Sequence, residues 1–269
     1  MRYTSDYLNL IHEALQKATF GLITDVDGTI SKTAPTPQEA KVSPRCRHYL
    51  SRLHNHLALV AAISGRPAAD VRNMIGIYGI VYIGNHGLER WTNDHSELLS
   101  SARDYPRVVK SVIDELTPLL SMEGISIENK GVTASIHYRL SPQPQLAERE
   151  ILKALEASPQ AGSLRIIRER MAVDLLPPIE INKGTTTLDL IRDYNLQGGV
   201  YLGDDFTDID AFRAIHTACR DLAFQGFAIG ITSPEMPEEL VTEADFTLNG
   251  VSDVERFLKW MLENAPQSS

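Results

Sequence analysis

The stretch that most limits what this chain can be runs from Phe20 to Ile30, Phe-Gly-Leu-Ile-Thr-Asp-Val-Asp-Gly-Thr-Ile. Leu22 and Ile23 sit in a short, mostly apolar run bounded by polar residues, the pattern of a strand buried on both faces. The run stops at Asp25. Residues two apart on an extended chain point the same way, so Asp25 and Asp27 are expected to converge just beyond the strand. Two carboxylates there repel and desolvate badly unless positive charge lies between them. A hard divalent cation such as Mg²⁺ supplies that charge, taking oxygen ligands while keeping several waters. Gly28 lets the backbone turn sharply and approach a ligand, and Thr29 offers a hydroxyl and an N–H to an anion. An ordinary Asp-Gly surface turn has the same residues, so the choice depends on the rest of the chain.

Three further stretches share that design. Leu57 to Ile63 reads as a buried strand and ends in Ser64-Gly65-Arg66-Pro67. A helix follows to about Ile75, and the strand Ile80 to Ile83 ends in Gly84-Asn85-His86-Gly87. Ser43-Pro44 opens another helix before them. Strands alternating with helices predict an α/β fold, doubly wound around a mainly parallel sheet. Ligands of such sheets lie beyond the carboxyl ends of the strands, where Asp25, Ser64, Asn85 and His86 fall.

The pattern then changes. A helix over Tyr105 to Leu120, a hairpin over 125–138, a helix over Leu146 to Ala157 and a second hairpin over 165–176 describe a small α+β module. After Pro177-Pro178 the alternation resumes. Asn182-Lys183-Gly184 opens a helix to about Tyr194, and the strand Gly199 to Leu202 ends in Gly203-Asp204-Asp205-Phe-Thr-Asp208. Gly226 to Ile231 and Asp245 to Leu248 complete the strands, and Ser252 to Leu262 reads as a closing helix. The expected division is one domain from 1–87 and 181–269, with 88–180 inserted as a second.

Asp204, Asp205 and Asp208 stand in the first turn of a helix, where acids are good caps, but three within five residues exceed what capping needs. We expect Asp25, Asp27 and Asp204 to supply carboxylate or carbonyl oxygens to one Mg²⁺, with Asp208 and Asp205 orienting its surroundings. Lys183 runs against the helix dipole, so a surface role suits it poorly and a point charge beside a phosphoryl group suits it well. Ser64, with the N–H groups of Gly65 and Arg66, can hold a phosphate oxygen, although an N-cap turn explains the same residues. These parts fit phosphoryl transfer to a carboxylate: Asp25 attacks phosphorus, and Asp27 protonates the leaving group and then activates water.

Composition narrows the partners. The chain has 269 residues, 43% of them hydrophobic, enough for one large domain or two ordinary ones. A net charge of −9 without a basic stripe argues against nucleic acid. No apolar run reaches the 18 or so residues of a membrane span. The first 17 residues place Tyr7, Leu8, Ile11, Ala14 and Leu15 at helical spacing, unlike a signal peptide. Cys46 and Cys219, far apart, read as reduced thiols of a cytoplasmic protein, expected to be a monomer or weak oligomer.

The ordered set Asp25-Val-Asp27-Gly-Thr29, Ser64-Gly-Arg, Lys183-Gly and Gly203-Asp204-Asp205-Phe-Thr-Asp208 resembles the haloacid dehalogenase superfamily of phosphatases. The resemblance implies a Rossmann-like core with a C2-type cap as the insert. Finer features resemble trehalose-6-phosphate phosphatases: Gly84-Asn85-His86-Gly87-Leu-Glu89, Glu128-Asn-Lys130-Gly131 and His137-Tyr138-Arg139. They imply a sugar-phosphate substrate, with Glu128, Lys130, His137 and Arg139 as sugar-contacting or strand-stabilising residues and Asn85 and His86 on the core side. On pattern alone, Thr133, Ser135 and His137 form the solvated face of a strand. Where that family has Glu-x-Arg-Pro, this chain has Asp174-Leu-Leu176-Pro177. That departure opens the alternative of a sucrose, glucosylglycerol or mannosylglycerate phosphate. A catalytically silent sugar-phosphate-binding module is the reading from a different class.

Overall fold

A computed structural model describes residues 5–92, 95–169, 171–234 and 236–266. The helix expected at the N-terminus is present from Ser5, while its expected start at Met1 to Thr4 lies outside the described residues. In chain order, α1 (Ser5–Leu15), β1 (Phe20–Thr24), α2 (Pro44–Leu53), β2 (Leu59–Ile63), α3 (Ala68–Ile75), β3 (Val81–Gly84), β4 (Glu89–Thr92) and β5 (His95–Leu98) come first. Next are α4 (Tyr105–Leu116), β6 (Ser126–Asn129), β7 (Ala134–His137), α5 (Pro144–Ala157), β8 (Arg165–Glu169) and β9 (Ala172–Leu176). Last are α6 (Lys183–Asp193), β10 (Gly198–Gly203), α7 (Phe206–Asp221), β11 (Gln225–Thr232), α8 (Glu238–Glu243), β12 (Phe246–Asn249) and α9 (Gly250–Asn264). Two compact units result, one built from residues up to Ser96 and from Ile181 onward, the other from Glu97–Glu180.

The first unit is a sheet in the order β12-β11-β10-β1-β2-β3-β4-β5. It is parallel from β12 to β3, and β4 turns back antiparallel to β3. Successive residues of its strands face opposite layers. Leu22, Val60, Ala62 and Leu202 pack with Ile11, Leu50, Val71 and Phe257 of α1, α2, α3 and α9. Ile23, Ala61, Ile63 and Tyr201 pack with Leu190, Ile209, Phe212 and Leu240 of α6, α7 and α8. Every residue of β1 is buried, as a strand covered on both faces requires. Expected helix starts hold in detail: Ser43 Oγ accepts from the N–H groups of Arg45 and Cys46, with Pro44 in the first turn.

The sheet continues past the boundary expected at residue 88, because Glu89 to Trp91 pair with Gly84 to Tyr82. That strand is short, polar and half-buried, so it carries no apolar run to announce it.

The second unit has its own four-stranded antiparallel sheet, in the order β6-β7-β9-β8. Ala134, Ile136, Val173 and Leu175 pack against Val109, Val112 and Leu116 of α4 and Ile151 and Leu155 of α5. The two hairpins join through β7 and β9, so β9 lies inside the sheet. Helix α4 stops at Leu116, short of the expected Leu120, because Pro118 has no N–H to continue the hydrogen-bond ladder. Among the described residues no helix is long and apolar enough to cross a membrane.

The two thiols differ sharply. Cys46 is buried, and burial pushes its thiol up to about 12, with a Ser43 contact opposing and Glu255 adding to the shift. Cys219 is exposed. We expect an aromatic disulfide reagent at about pH 8 to modify Cys219 alone in the folded protein, since only a thiolate within reach reacts. Cys46 should react only after denaturation, and modification of both thiols in the native state would contradict the packing of α2.

Candidate active site

The carboxyl ends of β1 and β10 adjoin, since these strands pair along their whole length. Asp25 follows β1, and its N–H donates to the Leu202 carbonyl of β10 at 2.8 Å. Asp204 follows β10, and Asp208 lies in the first turn of α7. Lys183 is the first residue of α6, behind an Asn182 cap whose side chain accepts from the Thr185 N–H while Thr185 Oγ1 accepts from the Asn182 N–H. Lys183 Nζ then reaches 2.7 Å from Asp25 Oδ1 and 2.7 Å from Asp208 Oδ1, with 3% of its side chain exposed.

Asp208 saturates its carboxylate. Oδ1 also accepts from Tyr201 Oη at 2.7 Å, and Oδ2 accepts from the N–H groups of Asp204 at 2.9 Å and Asp205 at 3.0 Å. Thr29 Oγ1 donates to Asp204 Oδ1 at 3.1 Å. A Cβ on Gly28, whose φ is +85°, would stand 2.0 Å from Asp204 Oδ2. Only glycine permits both that backbone and that approach. Asp205 caps α7, accepting from the Phe206 N–H at 2.7 Å.

Charge is concentrated here. Burial raises Asp25 well above the ordinary carboxylate range; Lys183 opposes the shift, and Asp208 and Asp204 add to it. Burial pulls the Lys183 ammonium down, yet Asp208 and Asp25 outweigh it and hold the group well above its usual value. Carboxylate oxygens of Asp25, Asp204 and Asp208 all lie within 4.8 Å of one another. Three carboxylates face one ammonium, so full ionisation leaves two negative charges uncompensated in a buried place. An all-oxygen donor set with that excess suits a hard divalent cation. Since four donors already engage Asp208, Asp25 and Asp204 are the carboxylates suited to ligate, with Asp208 orienting them.

Asp27 does not join this group. Its carboxylate accepts from Arg66 Nε at 2.6 Å and Nη2 at 2.9 Å. The expected convergence assumed extended backbone through Asp27, but β1 ends at Thr24 and buried Val26 turns the chain between the two acids. Ser64 stands at the end of β2 with its N–H on the Ile83 carbonyl, and its Oγ accepts from the Arg66 N–H at 3.2 Å. Helix α3 begins only at Ala68, whose N–H is taken by Glu89 Oε2 at 2.9 Å. The Ser64 turn therefore precedes the helix and does not form its N-terminus. Asn85 and His86, both buried with positive φ, are pinned by N–H bonds to the carbonyls of Arg66 and Ser64. Gly65 leaves room for the His86 ring, 2.7 Å from where a Cβ would be. The sequence singles out Glu89 only as the last residue of a motif, with no role, and Tyr201 not at all. Glu89's signal is its place at the end of the Gly84–Gly87 turn; Tyr201's is a hydroxyl inside an otherwise apolar strand.

In the second unit, His137 Nε2 lies 2.8 Å from Glu128 Oε2 across β6 and β7. Ser135 faces Asp174 across β7 and β9 and donates its hydroxyl to that carboxylate. Lys130 Nζ lies 3.5 Å from Asp174 Oδ2, with side-chain exposures of 8% and 4%. Thr133 and Ser135 are buried, so this is not a solvated strand face. Arg139 lies half-buried in the turn after β7, and Leu176 is buried at the end of β9.

The family model for trehalose-phosphatase matches residues 23–252. A trehalose-phosphate phosphatase of Mycobacterium tuberculosis is 32% identical over 199 residues, 71% of this chain and 50% of that protein. That of Mycobacterium leprae is 30% identical over 247 residues, 87% of this chain and 55% of that protein. The chain spans about half the length of the curated relatives it matches. The solved C-terminal domain of a C. albicans trehalose-6-phosphate phosphatase shares the fold, with a TM-score of 0.78 at 19% identity, over 95% of this chain and 96% of that one. We expect Asp208→Ala to cost about 3–5 kcal/mol in urea unfolding, because it takes the acceptor from the Tyr201 hydroxyl, the Asp204 and Asp205 amides and one Lys183 N–H in a buried site. A loss below about 1 kcal/mol would mean that the Asp208 network is not what holds these elements together.

Proposed function

Because the chain belongs to the trehalose-phosphatase family, we propose that it hydrolyses trehalose 6-phosphate to trehalose and phosphate in a Mg²⁺-dependent reaction. The observation that supports this most is the single buried knot of Asp25, Asp204, Asp208 and Lys183. Asp25 is the nucleophile. Lys183 fixes its Oδ1, and Oδ2 accepts no hydrogen bond among the described residues, which leaves that oxygen for phosphorus. Attack forms a bond from Asp25 to phosphorus as the sugar oxygen departs, taking its proton from Asp27. Asp27 then accepts a proton from water, which attacks the aspartyl-phosphate and releases phosphate. Asp27 must leave the Arg66 fork to do this, so the pair acts as a latch on the acid–base group. Lys183 offsets charge on the transferring group.

Asp25, Asp204 and the main-chain carbonyl of Asp27 are the groups assigned to Mg²⁺, which when bound supplies positive charge to the phosphoryl oxygens. Thr29 steadies Asp204, and Ser64 with the Gly65 and Arg66 amides is assigned to a phosphate oxygen, to which the Arg66 N–H turns from Ser64 Oγ. We assign the residue 97–180 unit the sugar-selecting role, through Glu128, Lys130, His137 and Arg139.

A second reading is favoured by Asp174 and Leu176. Asp174 ties up Ser135 and Lys130, and Leu176 offers no charge, so the sugar contacts differ from those the family pattern implies. Another glycosyl phosphate is then the substrate.

We expect phosphate release from trehalose 6-phosphate that EDTA abolishes and Mg²⁺ restores. Asp25→Asn should lower the rate by about 10³-fold or more, since no other group can carry the phosphoryl. Metal-independent turnover, or wild-type activity in Asp25→Asn, would refute the proposal. In a panel of sucrose, glucosylglycerol and mannosylglycerate phosphates, faster use of any one than of trehalose 6-phosphate selects the second reading.

A further inference from the structure

At the end of the large sheet opposite Asp25, two cavities adjoin in the first unit. Gly76, Ile77 and Tyr78, in the connection from α3 to β3, line both. The connection enters β3 at Val81, whereas Asn85 and His86 follow its other end. One cavity, about 590 Å³, is lined by Arg47, His48, Arg52, His54 and Asn55 of α2 and the following turn. The other, about 360 Å³, is lined by Arg72, Asn73, Trp91, Thr92 and Tyr194.

Among the described residues, neither lining contains an aspartate or glutamate. On a chain of net charge −9 that is a marked segregation of charge. On the same helix Arg45 pairs with Glu255 at 3.6 Å, whereas Arg47 and Arg52 pair with no carboxylate among the described residues. The second cavity has a different chemistry. Arg72 lies over the Trp91 ring, 4.9 Å from its centroid, and Tyr78 is 76% exposed on the shared rim. Trp91 Nε1 is buried beneath this surface, with no hydrogen-bond acceptor among the described residues. The wall is fitted: His54 Nε2 lies 2.4 Å from where a Cβ on Gly79 would stand, and Gly79 has a φ of +88°.

We propose that this groove binds a nucleoside polyphosphate. Arg47 and Arg52 are five residues apart on α2, which separates their backbones by about 7.5 Å along the helix axis. That span suits a chain of two or three phosphates better than one. Unpaired guanidiniums are the residue type for phosphate oxygens, and His48 adds a third donor. The exposed Tyr78 ring and the planar Arg72 guanidinium, itself seated on Trp91, offer a flat base two faces to stack on. The volumes fall in the range of small-molecule sites. The site is independent of Asp25 and of the reaction proposed there.

The test is calorimetric titration of the full chain in EDTA with ATP, ADP and pyrophosphate. ATP and ADP should bind, and Arg47→Gln/Arg52→Gln should weaken both by about tenfold or more while leaving the thermal melting temperature unchanged. Asp25→Asn should bind ATP as wild type does, and pyrophosphate should bind more weakly than ADP. The proposal is overturned by absence of ATP binding at millimolar concentration, by binding that the double variant leaves intact, or by binding lost in Asp25→Asn. Equal affinity for pyrophosphate and ADP removes the aromatic half of the site and overturns the assignment to a nucleoside.

Discussion

One carboxylate, that of Asp208, ties the ends of four elements together. It accepts from Lys183 at the start of α6, from Tyr201 within β10 and from the amides of Asp204 and Asp205 at the start of α7. Through Lys183 it also reaches Asp25 beyond β1. A buried acid of this kind is tolerable only when its lone pairs are engaged, and a buried ammonium only when acids surround it. The two groups therefore require each other, and the geometry that satisfies them also fixes Asp25.

Much of this was legible because each acidic stretch ends an apolar run. The rule that ligands gather at the carboxyl ends of parallel strands groups Asp25, Ser64 and Asp204, and Lys183 stands out because a lysine at a helix start opposes the dipole. The pairing of Asp27 with Arg66 was not legible. It joins residues from different strand ends, and period-two reasoning fails once the chain leaves β1 at Thr24. Glu89 was hidden for another reason: its part is to accept the first N–H of α3, which depends on β4 turning back along β3. Strands of four polar residues such as β4 take their structure from their neighbours rather than from their own pattern.

The second unit shows the same physics at smaller scale. Its sheet buries Ser135 and Asp174 in direct opposition, with Lys130 at the carboxylate's other oxygen. Alternation marks Ser135 as a surface position, yet β9 packs alongside β7 and encloses it. Asp174 thus has a full internal partner set, and Leu176 at the end of the same strand is buried.

The central position of β1 has a consequence for how the chain is made. Its two sheet neighbours are β2, about forty residues later, and β10, which follows the whole insertion. On the ribosome, the first half of the chain must wait with one rim of its innermost strand unpaired until Gly203 has emerged. Such a rim is apolar and invites foreign strands. The residue 97–180 unit, whose contacts are internal to one continuous segment, can meanwhile finish folding, and so synthesis proceeds with the later module mature and the earlier one incomplete.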